Sequence, residues 1–171
     1  AVNERVADRA GNAAPSAAPH GVYPCRGEDR WVAIAVEGDA AWQALKQKMG
    51  APAWAEDDRF QTLSGRLAHQ ALLDQHLGDW TRDQDGRALM YLLQPEVAAA
   101  PVQSQSDLYE DPQVLYRGYF VELEHSVMGR VPYNGSQAVL SQTPALLSRA
   151  SPCVGEDSLY VLEQLLGMDP A

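Results

Sequence analysis

The chain has 171 residues and carries 23 acidic against 13 basic side chains, a net charge of −10. That balance excludes a broad nucleic-acid footprint and attraction to an anionic membrane surface, because both need clustered Lys and Arg. With 46% apolar residues the chain is expected to fold, and its length suits one domain or one domain with an appendage.

The first ten residues, AVNERVADRA, have no apolar stretch of the signal-peptide kind and no initiator Met. Ala10 to His20 (AGNAAPSAAPH) is rich in small residues and Pro and reads as an irregular loop. Val22, Tyr23 and Cys25 form a strand, Gly27-Glu28-Asp29 a turn, and Trp31–Val36 a second strand apolar enough to be central in a sheet. Asp39 is the expected N-cap of a helix that presents Trp42, Leu45 and Met49 on one face and closes at Gly50. Asp57-Asp58-Arg59-Phe60 forms a polar elbow. Leu63, Leu67, Leu73, Leu77 and Trp80 then predict one amphipathic helix over 63–80. Thr81 and Gln84 match a capping box for a further helix to about Leu93. Val97–Val102 (VAAAPV) suits a short edge strand or a buried extended loop.

Ser104 and Asp107 cap a brief helix in the same way. Val121, Leu123, His125 and Val127 alternate with polar residues as a half-buried strand, Gly129 turns the chain, and Val131 and Tyr133 continue the hairpin. Leu140–Pro152 is a surface crossing. Gly155-Glu156-Asp157 opens a last helix whose apolar face is Leu159, Leu162, Leu165 and Leu166. Gly167-Met168-Asp169-Pro170 reads as a stop followed by a new N-cap, so both ends are expected to be cut from something longer. Hairpins and helices fall in separate blocks, ββ-α-α-α-β-α-ββ-α, which is an α+β arrangement. No run of 18 apolar residues offers a membrane span.

Recognisable chemistry is sparse. Cys25 and Cys153 stand outside any CxxC and are expected as reduced thiols of a cytoplasmic protein. His69 and His76 sit seven apart on a predicted helix without a metal-site pattern, so solvated helix histidines are expected and no metal is assigned. His125 reads as a satisfied core or rim histidine. Trp31, Trp42, Trp54 and Trp80 are expected to pack. Neither GxSxG, P-loop nor GxGxxG occurs, and no nucleophile has an identifiable base, so no catalytic residue is assigned. The segment that stands out is Arg9-Ala10-Gly11-Asn12 with the small-residue loop to Gly21. Such loops bring backbone N–H groups close to a ligand or an oxyanion.

Four stretches in this order carry a family resemblance. They are RAGNAAPSAAPHGVYPCRGEDRWVAIAV (Arg9–Val36), the elbow EDDRF with Arg66 after it, AAAPVQSQSDLYEDPQVLYRGYF (Ala98–Phe120), and GEDSLYVLEQLLG (Gly155–Gly167). Together they resemble the class III CoA-transferases, whose members include formyl-CoA transferase, carnitine CoA-transferase and 2-methylacyl-CoA racemase. The resemblance covers nearly the whole chain.

It implies the smaller α+β domain of a two-domain enzyme whose chains interlock as homodimers. Residues 1–21 would be a linker and active-site-facing loop, 22–140 the small domain, and 141–171 a crossing segment and helix returning toward a large domain. The implied activity moves CoA from an acyl-CoA donor to a carboxylic acid acceptor through anhydride and thioester intermediates on an aspartate. The CoA thioester is a substrate, and no covalently bound cofactor is implied. In the family that aspartate, and most contacts to CoA, lie upstream of anything matching Arg9, so the 171 residues alone are expected to be inactive. Asn12, His20 and Gly21 are implied as lining for the acyl pocket. Where formyl-CoA transferase has a glycine-rich loop, Ala13–His20 here has alanines and prolines, which argues against a mobile polyglycine lid. Arg5, Arg9, Arg26 and Arg30 are offset by Glu4, Asp8, Glu28 and Asp29, so these residues are not expected to hold the CoA phosphates. A racemase on the same scaffold and a non-catalytic interaction domain are the alternative readings.

Overall fold

A computed structural model describes residues 9–169. The readings placed on residues 1–8 and on Pro170 lie outside the described residues. The chain is α+β and divides into two units, one up to Val102 and one from Gln103.

The first unit holds a three-stranded antiparallel sheet in the order β1 (His20–Pro24), β2 (Trp31–Ala35), β3 (Ala98–Val102). As the apolar run predicts, β2 is central. Pro101 sits on edge strand β3, where a missing N–H costs no ladder bond. Alternation sends Tyr23, Val32, Ile34 and Ala99 into the core. Helices α1 (Gly38–Lys48), α3 (Gln70–Thr81) and α4 (Gly86–Leu93) supply Trp42, Leu45, Leu73, Leu77, Leu89 and Leu93 to the same core, and α2 (Leu63–Ala68) buries Arg66. Two 3-10 turns, Ala53–Glu56 and Asp58–Phe60, lie between α1 and α2 and seat Trp54 and Phe60 against Trp42.

Three sequence expectations are corrected here. Asp39 lies in the first turn of α1 and not at its cap, because its carboxylate is taken by Arg66. The helix expected over 63–80 is two helices broken at His69, whose backbone leaves the helical region (φ −118°, ψ 27°). The reason is phase: Leu67 and Leu73 are six residues apart, about 600° of turn, so one continuous helix would point the two leucine pairs apart. The Thr81–Gln84 capping box does not form. The Thr81 hydroxyl donates to the Pro24 carbonyl at 2.7 Å, and Asp85 caps α4 by accepting from the Ala88 N–H.

In the second unit the Ser104–Asp107 capping box forms and opens α5 (Gln105–Tyr109). Helix α6 (Pro112–Tyr116) follows, capped by Asp111 with Pro112 at its first position, a signal the periodicity reading passed over. Strands β4 (Phe120–His125) and β5 (Gly129–Asn134) pair as an antiparallel hairpin. His125 is buried at its end, and its Nδ1 accepts from the Val127 and Met128 N–H groups in the turn. The segment 140–152 is irregular and mostly exposed. The last helix is wound as a π-helix over Tyr160–Leu165, and Leu159, Leu162, Leu165 and Leu166 are exposed. No helix among the described residues is long and apolar enough to cross a membrane.

Candidate functional site

The face of the β1-β2-β3 sheet turned away from the core carries a cavity of about 450 Å³. Strand register explains it. His20, Ala35 and Ala98 lie in one row across the sheet, and Val22, Ala33 and Ala100 in the next. Period two puts all six on the open face, and alanine at four of them leaves side-chain volume empty. Asn12 and Gln94 close the sides, and the Gln94 amide is fixed by donating to the Ala99 carbonyl at 2.9 Å.

A second cavity of about 370 Å³ shares Asn12, His20 and Gly21 with the first and adds Tyr23, Gln70 and Asp74. The three residues singled out in the sequence are therefore brought together. His20 Nδ1 bonds the Asn12 carbonyl. A carbonyl only accepts, so Nδ1 carries a hydrogen in this bond. Gly21 makes room: a Cβ there would stand 3.0 Å from the Tyr23 hydroxyl, which donates to Asp74 Oδ1 at 2.7 Å. Burial first, then the hydrogen bond and charge of Asp74, pushes the Tyr23 phenol far above its ordinary value. Tyr23 is thus a fixed, protonated donor at neutral pH.

The loop ahead of β1 is folded onto the body of the unit. Ala17 and Ala18 are buried, and Ala14 bridges Ala17. Arg66, fully buried, donates to the Ala18 carbonyl at 2.8 Å, the Phe60 carbonyl at 3.1 Å and Asp39 Oδ1 at 3.0 Å.

Other candidates fall elsewhere. His69 stands at the α2–α3 junction, and His76 stacks on Trp54 with ring centroids 4.5 Å apart. Among the described residues no cluster of three or more His, Cys, Asp or Glu could hold a metal. Cys25 and Cys153 are free thiols. Burial, then the charge of Asp85, raises the Cys25 thiol, which makes it a poor nucleophile. Trp42, Trp54 and Trp80 pack in or against the core, but Trp31 is on the open sheet face, its indole N–H donating to Asp29. The sequence reading missed the alanine wall, Gln94 and Asp74. Ala33 and Ala35 in WVAIAV and Ala98 to Ala100 in VAAAPV form the wall only through the pairing of β2 with β3.

The arrangement can bind and orient an apolar group beside a histidine and an amide. It displays no activated nucleophile among the described residues.

The model of the family described as CoA-transferase family III matches residues 1–158. The chain belongs to this family. It is 33% identical over 156 residues to a probable CoA-transferase of Mycobacterium tuberculosis, covering 90% of this chain and 20% of that protein. It is also 33% identical over 158 residues to a succinate–glutarate CoA-transferase of Agrobacterium fabrum, covering 92% of this chain and 39% of that one. A solved structure of a CaiB/BaiF family protein from Brucella suis superposes with a TM-score of 0.76 at 27% identity, over 96% of this chain and 42% of that chain. The chain thus spans at most about two-fifths of these family III relatives.

Proposed function

We propose that this chain supplies the acyl-facing part of a CoA-transferase that moves CoA from an acyl-CoA donor to a carboxylic acid. In the net reaction the donor C–S bond breaks and a C–S bond to the acceptor acyl forms. One acceptor oxygen ends on the departing donor carboxylate, so no oxidant or reductant is needed. The observation that carries the reading is the cavity where Asn12, His20 and Gly21 meet, in a family III chain whose relatives are named as CoA-transferases. Those names favour transfer over racemisation. In this reading the cavity takes the acyl end of the thioester and His20 and Gln94 orient its polar atoms. The lining residues of both cavities include no Lys or Arg. The CoA phosphates are accordingly assigned to other parts of the enzyme, together with the nucleophilic aspartate. Residues 1–21 then serve as the site-facing loop, 22–140 as the small domain and 141–171 as the return, in an interlocked cytoplasmic homodimer.

The test is CoA exchange between succinyl-CoA and a panel of carboxylates, followed by chromatography of the thioesters. The full protein is expected to exchange CoA and the 171 residues by themselves to be inactive. Ala33→Leu, which fills the cavity from the open sheet face, is expected to lower kcat/KM about tenfold, or about 1.4 kcal/mol. No exchange with any acid, or an unaffected Ala33→Leu protein, overturns the reading.

A further inference from the structure

We infer that Arg66 is a positioning residue for the acyl cavity, clamping the main chain from which His20 and Asn12 are presented. The inference rests on the acyl-site reading above and extends it to a residue that touches neither cavity. Arg66 is fully buried, its guanidinium 5.3 Å from the Trp42 ring centroid. A buried cation is a poor stability device unless closely paired, and an apolar side chain of similar volume often serves packing as well. Here its one carboxylate partner, Asp39, is 65% exposed, which makes the pairing weak compensation for burial.

The other two bonds explain the residue better. They reach main-chain carbonyls in separate segments, Ala18 before β1 and Phe60 at the end of a 3-10 turn. A planar fork of N–H groups can bridge such acceptors at fixed angles, which neither an apolar side chain nor a lysine ammonium does. From Ala18 the restraint passes along the chain. The next carbonyl, Pro19, accepts from the Val36 N–H at 2.8 Å, and His20 follows, its ring holding the Asn12 carbonyl. The loop from Asn12 to His20 is thereby fastened at both ends, and its C-terminal anchor is Arg66.

The test compares Arg66→Lys and Asp39→Asn in the full protein by amide hydrogen exchange and by CoA-transfer kinetics. Arg66→Lys keeps the charge and loses the fork. It is expected to speed exchange of the amides in 13–22 at least tenfold while those of α3 stay unchanged. It is also expected to lower kcat about 10- to 100-fold, the scale of a small misplacement, with KM changed little. Asp39→Asn leaves both carbonyl bonds and is expected to keep exchange and kcat within about threefold of the parent. A folded Arg66→Lys protein with parental loop exchange or parental kcat overturns the inference. So does an Asp39→Asn protein that reproduces the full loss, which would give the effect to charge pairing. In the unsubstituted protein the Arg66 Nε–H is expected to exchange slowly, and fast exchange overturns the clamp even where Arg66→Lys fails to fold. A parent protein without CoA exchange overturns the transferase reading, and the amide exchange then decides the clamp by itself.

Discussion

The two units use apolar residues in opposite ways. Up to Val102 the large aliphatic and aromatic side chains of α1, α3 and α4 meet the sheet and are sealed from water, Trp42, Leu45, Leu73 and Leu77 completely. From Gln103 onward His125 is the one buried residue among those described, and the leucines of 159–166 lie at the surface. The periodic pattern is present in both. What differs is whether another element of the unit returns to face it. Helices α5 and α6 have five residues each, too few to offer a continuous stripe. Three strands and four helices give the first unit a reason to hold its shape by burial. The second rests on a hairpin and side-chain caps.

The largest test of that contrast is a pair of truncations. Leu77→Ala is expected to cost about 2–5 kcal/mol, because it opens a cavity at a fully buried site. Leu162→Ala, at a 41% exposed site, is expected to change stability by less than about 0.5 kcal/mol. Urea unfolding of the 171-residue chain measures both. Equal losses would mean that the second unit closes a core of its own. A second pair asks the same of polar anchors. Thr81→Val removes the buried donor to the Pro24 carbonyl and is expected to cost about 1–3 kcal/mol. His125→Ala removes the acceptor of two turn N–H groups that water can reach, and about 1 kcal/mol or less is expected. A larger loss for His125→Ala would reverse the ranking.

How much of this was legible in the sequence follows the same division. Apolar stretches on either side of the Gly27-Glu28-Asp29 turn located the β1–β2 hairpin, and period-two alternation with the turn at Gly129 located β4–β5. The Ser104 box was readable because cap and partner are local. Thr81 has the same spacing, but its hydroxyl is claimed by Pro24, far away in sequence, and a local rule does not see that competitor. Asp39 was misread as a cap for the same reason, its partner Arg66 being 27 residues on. In the site, Asn12, His20 and Gly21 came from a resemblance and the structure brings them together. The alanine wall was not legible, because small residues announce a cavity only once strand register stacks them in rows.

The smallest expected effect is in acid, where the two units carry matching devices. Asp57 is half-buried, and the Arg59 side chain, then its main-chain N–H, hold its carboxyl down to about 2 from an ordinary 3.8. Arg149 lowers Asp157 in the second unit in the same direction. A carboxyl depressed in the folded state stabilises the fold above its unfolded value. That stabilisation fades as pH falls from about 4 and is gone below the folded value, because the unfolded chain takes up the proton first. For Asp57 the window is therefore roughly pH 4 to 2, and Asp57→Asn is expected to flatten the acid limb of the stability curve there. The two pairs differ in what they hold. Asp57 also caps the 3-10 turn that seats Phe60 in the aromatic cluster, whereas Asp157 ties a surface crossing to the last helix. Asp57→Asn should consequently shift unfolding of the first unit's tryptophan signal, and Asp157→Asn should leave that signal in place. The contrast between units fails at the level of these ion pairs if Asp157→Asn moves the tryptophan transition as far as Asp57→Asn does.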